Sequence, residues 1–88
     1  MATSTVEDYL KQIYQAELAS PGSLVPTGQV AMAVEVAPGT ATAMVKTLAE
    51  AALVEYEPYT GVRLTVAGEK LAAHVLRRHR LVELFLVE

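Results

Sequence analysis

The sequence predicts a mainly α-helical fold with one small β-hairpin, and the spacing of its apolar residues is the evidence. Apolar side chains recur at helical intervals before residue 52 and again after residue 65. Between these segments, residues 53–57 and 62–65 have the composition of short strands, and they flank a turn at residues 58–61 that contains proline and glycine. With 88 residues, of which 52% are hydrophobic and 19% charged, the chain is too apolar for disorder and long enough for one small domain.

The first helix is predicted over residues 5–19. A hydroxyl residue at position 4 or 5 can cap its N-terminus, and the Ser-Pro-Gly step at residues 20–22 ends it. Apolar residues at intervals of three and four predict its buried face. These residues are Val6, Leu10, Ile13 and Tyr14.

Two shorter helices follow, separated by a break at residues 37–39. Thr27 is predicted to cap the second helix and Thr40 the third. Two short helices joined by a short break are typical of a helix-turn-helix. The residues expected to face inward are Val30, Ala31 and Val34 in the second helix and Ala41, Met44, Val45 and Leu48 in the third.

The hairpin at residues 53–65 is predicted to be a wing, which makes the whole fold a winged helix-turn-helix. Thr65 then caps a long fourth helix, whose inward stripe is expected to contain Leu71, Val75, Val82 and Phe85. That helix carries apolar side chains up to residue 87, and this surface needs a partner. We therefore expect residues 1–65 to form the winged helix-turn-helix domain and residues 66–88 to begin a helix that leads to a dimerisation domain outside this sequence.

The charge distribution permits binding to nucleic acid without predicting it. The formal net charge is −3, whereas lysine and arginine supply most non-specific affinity for DNA. Acidic residues are concentrated in the first helix and in the first strand of the wing, and the third helix carries Lys46 on its outer face. The chain has no cysteine and begins without the basic and apolar segments of a signal peptide, so we expect a cytoplasmic protein that does not associate with membranes.

The third helix and the wing supply the candidate DNA contacts. Backbone N–H groups at the start of a helix and threonine hydroxyls suit phosphate oxygens, and the methyl group of Ala43 suits a thymine methyl. Arg63 and Tyr59 in the wing are placed to reach the DNA backbone or minor groove. The full set of candidate residues is Thr27, Pro38, Gly39, Thr40, Thr42, Ala43, Lys46, Thr47, Tyr59 and Arg63.

Two motifs near the ends of the chain resemble those of a known family. The run EDYLKQIY at residues 7–14 and the run RRHRLVELFL at residues 77–86 are similar to the diphtheria toxin repressor and manganese transport regulator family. The Leu-Thr-x-x-Gly start of the fourth helix at residues 64–68 also matches. The resemblance implies a metal-dependent repressor of metal-ion homeostasis, which binds a palindromic double-stranded operator as a homodimer.

The resemblance also implies a metal site between the first and fourth helices. It assigns Asp8, His79 and Glu83 as ligands of Mn²⁺ or Fe²⁺, with further ligands in residues beyond this sequence. An oxygen ligand at position 8 matches the manganese branch, but Lys11 stands where that branch usually has a second carboxylate. From the residues alone, a solvent-facing i, i+4 pair is the favoured explanation of His79 and Glu83, and the helix dipole accounts adequately for an acid at Asp8.

Two other classes of function remain open at this point. A winged helix can serve as a protein–protein interaction module, and a winged-helix repressor can respond to a small molecule instead of a metal. An enzyme is the least favoured class, because the sequence lacks a cysteine nucleophile, a glycine-rich phosphate loop and a pair of carboxylates at catalytic spacing.

Overall fold

The computed structural model describes the backbone of residues 6–87 and the side chains of residues 6–78. Its element order confirms the predicted winged helix-turn-helix, in which a two-stranded antiparallel hairpin lies between the third and fourth helices. Within the described residues, no helix combines the length and the hydrophobicity needed to cross a membrane. The elements are α1 (Val6–Ala19), α2 (Thr27–Val34), α3 (Pro38–Glu50), β1 (Val54–Glu57), β2 (Gly61–Leu64) and α4 (Val66–Val87).

The core is built around α1, which packs against α2, α4 and β2. Tyr9, Leu10 and Ile13 of α1 are buried, whereas Val6 is 37% exposed, so its predicted place in the core is wrong. Tyr9, which was not among the predicted inward residues, is buried instead. Desolvation by burial raises the pKa of its phenol. The other elements contribute Val25, Val30, Ala31, Val34, Ala41, Val45, Leu48, Val54, Val62, Leu64 and Ala72.

The predicted N-caps of α2 and α3 are wrong. Thr27 is the first residue of α2, and its N-cap is Pro26 in an extended conformation. The third helix begins at Pro38 with Ala37 as its N-cap, so Thr40 already lies in the first turn. In α3 the physical reason is that proline suits the first position of a helix, where its missing N–H group has no partner to lose. In α2 the ring of Pro26 fixes φ at −60° with an extended ψ of 139°, which is the backbone conformation of an N-cap, so the helix begins at the next residue.

The wing hairpin is anchored to the helices at its base. Val25, in the connection between α1 and α2, forms a β-bridge with Val62: each backbone N–H donates to the other residue's carbonyl, at N···O distances of 2.8 and 2.9 Å. The Leu64 N–H donates to the Glu17 Oε2 of α1 at 2.6 Å. Helix α1 and its following loop therefore hold β2 at Val62 and Leu64.

The start of α4 packs closely against the turn that precedes the wing. Thr65 caps this helix as predicted, because its Oγ1 accepts a hydrogen bond from the Gly68 N–H at 3.1 Å. The same hydroxyl donates to the Ala52 carbonyl at 2.8 Å, which ties α4 to the end of α3. These two bonds fix where α4 leaves the wing.

The inward stripe of α4 consists of smaller residues than predicted. Leu71 is 39% exposed, so its predicted inward position is wrong, while Ala72 and Val75 are buried. Small side chains on this face let the helix approach its neighbours closely. Predictions for the side chains of Val82 and Phe85 lie outside the described residues.

Candidate nucleic-acid interface and metal region

Helix α3 presents the predicted contact residues on an open surface. Pro38, Gly39, Thr40, Ala43, Lys46 and Thr47 are exposed, and Thr42 is half-buried. The inward face is formed by Ala41, Val45 and Leu48, which the core holds rigidly. The Thr47 hydroxyl donates to the Ala43 carbonyl at 3.1 Å, so its hydrogen is engaged within the helix and its oxygen can still accept a hydrogen bond.

The N-terminus of α3 offers backbone donors rather than side-chain caps. No side chain caps this end, and the first helical bond runs from the Ala41 N–H to the Ala37 carbonyl at 3.1 Å. The N–H groups of Gly39 and Thr40 therefore have no acceptor in the preceding turn and point out of the helix end. Together with the positive end of the helix dipole, this arrangement suits an anionic oxygen such as that of a phosphate. Thr27, at the start of α2, is half-buried.

The wing exposes an aromatic residue at its tip. Tyr59 is fully exposed and has a positive φ of 67°, in the left-handed region that non-glycine residues rarely adopt. The Thr60 N–H donates to the Glu57 carbonyl at 3.0 Å and closes the turn. A bulky side chain held in this conformation costs roughly 1–2 kcal/mol, which the hairpin turn imposes and the rest of the fold offsets.

The outward face of the wing carries charges of both signs. Strand pairing places Glu55 directly opposite Arg63, and the Arg63 Nε lies 3.1 Å from the Glu55 Oε1. Glu57 is exposed on the same strand as Glu55. The predicted wing cation is thus already engaged by a carboxylate.

The candidate metal region is described in part. Asp8 is half-buried in the first turn of α1, one residue after Glu7, whose Oε2 lies 2.5 Å from the Arg78 Nη2 of α4. This ion pair brings the first turn of α1 to the part of α4 that leads into residue 79. The side chains of His79 and Glu83 lie outside the described residues, and no group of three potential metal ligands occurs among the side chains that the structure describes.

Sequence reasoning missed the partners of two acidic residues. In the sequence, Glu17 and Glu55 were noted only as acidic residues. In the structure, Glu17 accepts the Leu64 N–H and Glu55 pairs with the Arg63 guanidinium, both in β2. An antiparallel register worked out for the hairpin could have paired Glu55 with Arg63. The Glu17 contact spans 47 residues in sequence, and no local pattern signals it.

Comparison with protein families identifies the group to which this fold belongs. Residues 1–62 match the family described as the iron-dependent repressor, N-terminal DNA-binding domain. The chain belongs to the iron-dependent repressor family. The match covers all of α1, α2, α3 and β1, and it agrees with the predicted resemblance to the diphtheria toxin repressor and manganese transport regulator family.

Full-length relatives extend this similarity along the chain. The HTH-type transcriptional regulator MntR of Lysinibacillus sphaericus is 38% identical over 86 residues, which is 98% of this chain and 60% of that protein. MntR of Bacillus subtilis is 36% identical over the same share of the chain and 59% of its own length. The chain therefore spans about 60% of the length of these curated relatives.

Solved structures agree on the fold. ScaR, crystallised with bound Zn²⁺, superposes with a TM-score of 0.78 at 33% identity, and the match covers 96% of this chain and 38% of ScaR. MepR of Staphylococcus aureus, a transcription regulator of a multidrug efflux pump, superposes with a TM-score of 0.69 at 18% identity over 91% of this chain and 62% of MepR. The MepR match shows a shared winged-helix fold alone.

Proposed function

We propose that this member of the iron-dependent repressor family is the DNA-binding part of a metal-dependent transcriptional repressor. It binds double-stranded operator DNA through α3 and the wing, in the cytoplasm. The observation that carries the proposal is the open face of α3, where small residues, outward N–H groups and Lys46 occur together on a rigidly packed helix. The match of residues 1–62 to a DNA-binding domain supports it.

The details of the interface follow from the chemistry of the exposed residues. Gly39 and Thr40 donate backbone N–H groups to a phosphate, and Lys46 adds a charge one to two turns further along the helix. Ala43 lies between them and offers a methyl group to a base edge. Since these contacts occupy one short helix, we propose that specificity requires a homodimer on a palindromic operator, with the dimerisation domain following residues 66–88.

The metal proposal rests on the position of α1 against α4. The Glu7–Arg78 ion pair joins the first turn of α1, which contains Asp8, to the segment of α4 that precedes His79. Glu83 follows His79 by four residues in the sequence. Asp8, His79 and Glu83 would hold a divalent ion, Mn²⁺ or Fe²⁺, with oxygen and nitrogen ligands of the type both metals accept. The relatives named MntR and the zinc-bound ScaR support a divalent metal without selecting one.

The DNA proposal is tested by removing one exposed cation from α3. Lys46→Ala should weaken binding to duplex DNA and reduce the slope of log K against log salt by about 0.9, because one phosphate contact is lost. The matched control is Lys70→Ala, which removes the same charge from the exposed side of α4 and should leave the slope unchanged. Fluorescence anisotropy at several salt concentrations measures both, and identical slopes for the two variants would contradict the proposed face.

The metal proposal is tested by titrating Mn²⁺ and Fe²⁺ while following operator binding. His79→Ala should shift the metal response to higher concentration, because an imidazole ligand is lost. Lys11→Glu should leave the response intact or strengthen the manganese response, because it removes a cation one turn from Asp8. If the dependence of operator binding on metal concentration is unchanged in His79→Ala, then His79 and Glu83 are a solvated helical pair and not metal ligands.

A further inference from the structure

The helix-turn-helix and wing contain few positive charges for a surface that meets phosphate. Residues 20–65 include two basic side chains, Lys46 and Arg63, against four acidic ones, Glu35, Glu50, Glu55 and Glu57. Cations supply most of the affinity that is independent of DNA sequence, so it matters whether each basic side chain is available to a phosphate. Arg63 is one of the two basic side chains in this segment.

Arg63 is held by the carboxylate directly across the hairpin. Glu55 and Arg63 are register partners on the outward face, and the Arg63 Nε lies 3.1 Å from the Glu55 Oε1. The opposite face of the same strands is packed into the core, where Val54 pairs with Leu64. The hairpin backbone therefore fixes Glu55 beside Arg63, while both side chains remain in solvent.

We propose that Glu55 limits the affinity of the wing for DNA by competing with phosphate for the Arg63 guanidinium. The inference rests on the proposed DNA-binding function and adds a residue that attenuates it. A phosphate that approaches Arg63 meets the Glu55 carboxylate on one edge of the guanidinium and Glu57 on the same strand. Both carboxylates repel it, so Arg63 must leave Glu55 before it neutralises a phosphate fully.

The expected size of the effect follows from the exposure of the pair. The Arg63 and Glu55 side chains are 51% and 63% exposed, so water and salt screen their attraction and the pair opens readily. An exposed pair of this kind should alter DNA affinity by about two- to fivefold. Such a restraint would act on non-specific and operator DNA alike, because the phosphate groups for which Glu55 competes are the same in every sequence.

The test compares Glu55→Ala with Glu57→Ala for binding to a non-specific duplex of about 20 base pairs by fluorescence anisotropy in the presence of Mn²⁺. Both variants remove one carboxylate from the outward face of the wing, and only Glu55 contacts Arg63. Glu55→Ala should bind about two- to fivefold more tightly than Glu57→Ala. When Arg63→Ala is added to each variant, this difference should vanish, because no guanidinium is left to release.

Two results would overturn the proposal. Equal affinities for Glu55→Ala and Glu57→Ala would show that only general repulsion is at work. Weaker binding by Glu55→Ala would show that the carboxylate positions Arg63 for DNA instead of withholding it. A different result would show that the proposed DNA-binding function itself is wrong, and the role of Glu55 would then be wrong as well. In that case Lys46→Ala and Arg63→Ala would both leave duplex binding unchanged.

Discussion

Replacement of Gly68 by alanine should loosen the junction between the wing and α4. A Cβ atom at this position would lie 2.0 Å from the Leu53 carbonyl oxygen and 3.2 Å from the Leu64 Cδ2. Ordinary van der Waals contact begins at 3.4 Å, so the start of α4 must move by about 1.4 Å. The Leu53 oxygen also accepts the Thr65 N–H at 3.1 Å, so the helix cannot move without straining that bond.

The magnitude is set by two destabilising terms and one stabilising term. Overpacking against backbone atoms costs roughly 1–3 kcal/mol, and loss of the Thr65 hydrogen bond adds about 1 kcal/mol. Alanine in place of glycine in a helix returns at most about 1 kcal/mol. We therefore expect Gly68→Ala to lower the free energy of unfolding by about 1–3 kcal/mol, which for a domain of this size lowers Tm by roughly 5–20 °C.

The assay is urea denaturation followed by circular dichroism, with Gly28→Ala as the matched control. Gly28 is also helical, but a Cβ there meets no atom within 4 Å. Gly28→Ala should therefore be neutral or stabilising by up to about 1 kcal/mol. If the two variants unfold at the same urea concentration, the close approach of Gly68 to Leu53 does not limit stability and the reasoning is refuted.

Three further predictions concern contacts of α1. Glu17→Ala should lower the free energy of unfolding by about 1–3 kcal/mol in urea titrations, because the Leu64 N–H loses its acceptor, and Glu17→Gln should cost less; equal losses for both would contradict the hydrogen bond. Because burial raises the pKa of Tyr9 in the folded state, wild-type stability should fall as the pH rises above 10.0, and Tyr9→Phe should flatten this part of the profile; parallel profiles would disprove it. The Glu7–Arg78 ion pair, whose side chains are about half exposed, should contribute less than about 1 kcal/mol in a double-mutant cycle, and a larger coupling would indicate a structural role that its exposure does not suggest.

The sequence predicted those parts of the fold that local chemistry determines. Alternation in the hairpin and the side-chain oxygen of Thr65 act over a few residues, and both predictions are confirmed. The predicted caps at Thr27 and Thr40 are wrong because a proline precedes each threonine. Pro26 is itself the N-cap of α2, and Pro38 begins α3 at the first helical position, which proline suits. The predicted inward position of Leu71 is wrong for another reason. Helical periodicity was judged from large apolar residues, whereas the close packing of α4 depends on the small residues Gly68 and Ala72.

In the candidate site, too, features that follow from a local pattern could be predicted, and features that depend on register or on tertiary packing could not. Exposure of the outer face of α3 followed from helical periodicity, so the positions of Ala43 and Lys46 could be predicted. The engagement of Arg63 by Glu55 depends on the register of the hairpin, which was predicted only approximately. The relation of Asp8 to α4 depends on how two helices distant in sequence pack, and no periodic pattern encodes that.

The anchoring of β2 has a consequence for how copies of this protein meet. A two-stranded sheet normally leaves open backbone edges that can recruit a strand from another molecule. Here the outward N–H of Val62 is bonded to the Val25 carbonyl and that of Leu64 to the Glu17 carboxylate, so the donors at these two positions of the β2 edge are already taken. Strand addition along β2 is thereby blocked, which leaves β1 as the edge of the hairpin that could template aggregation.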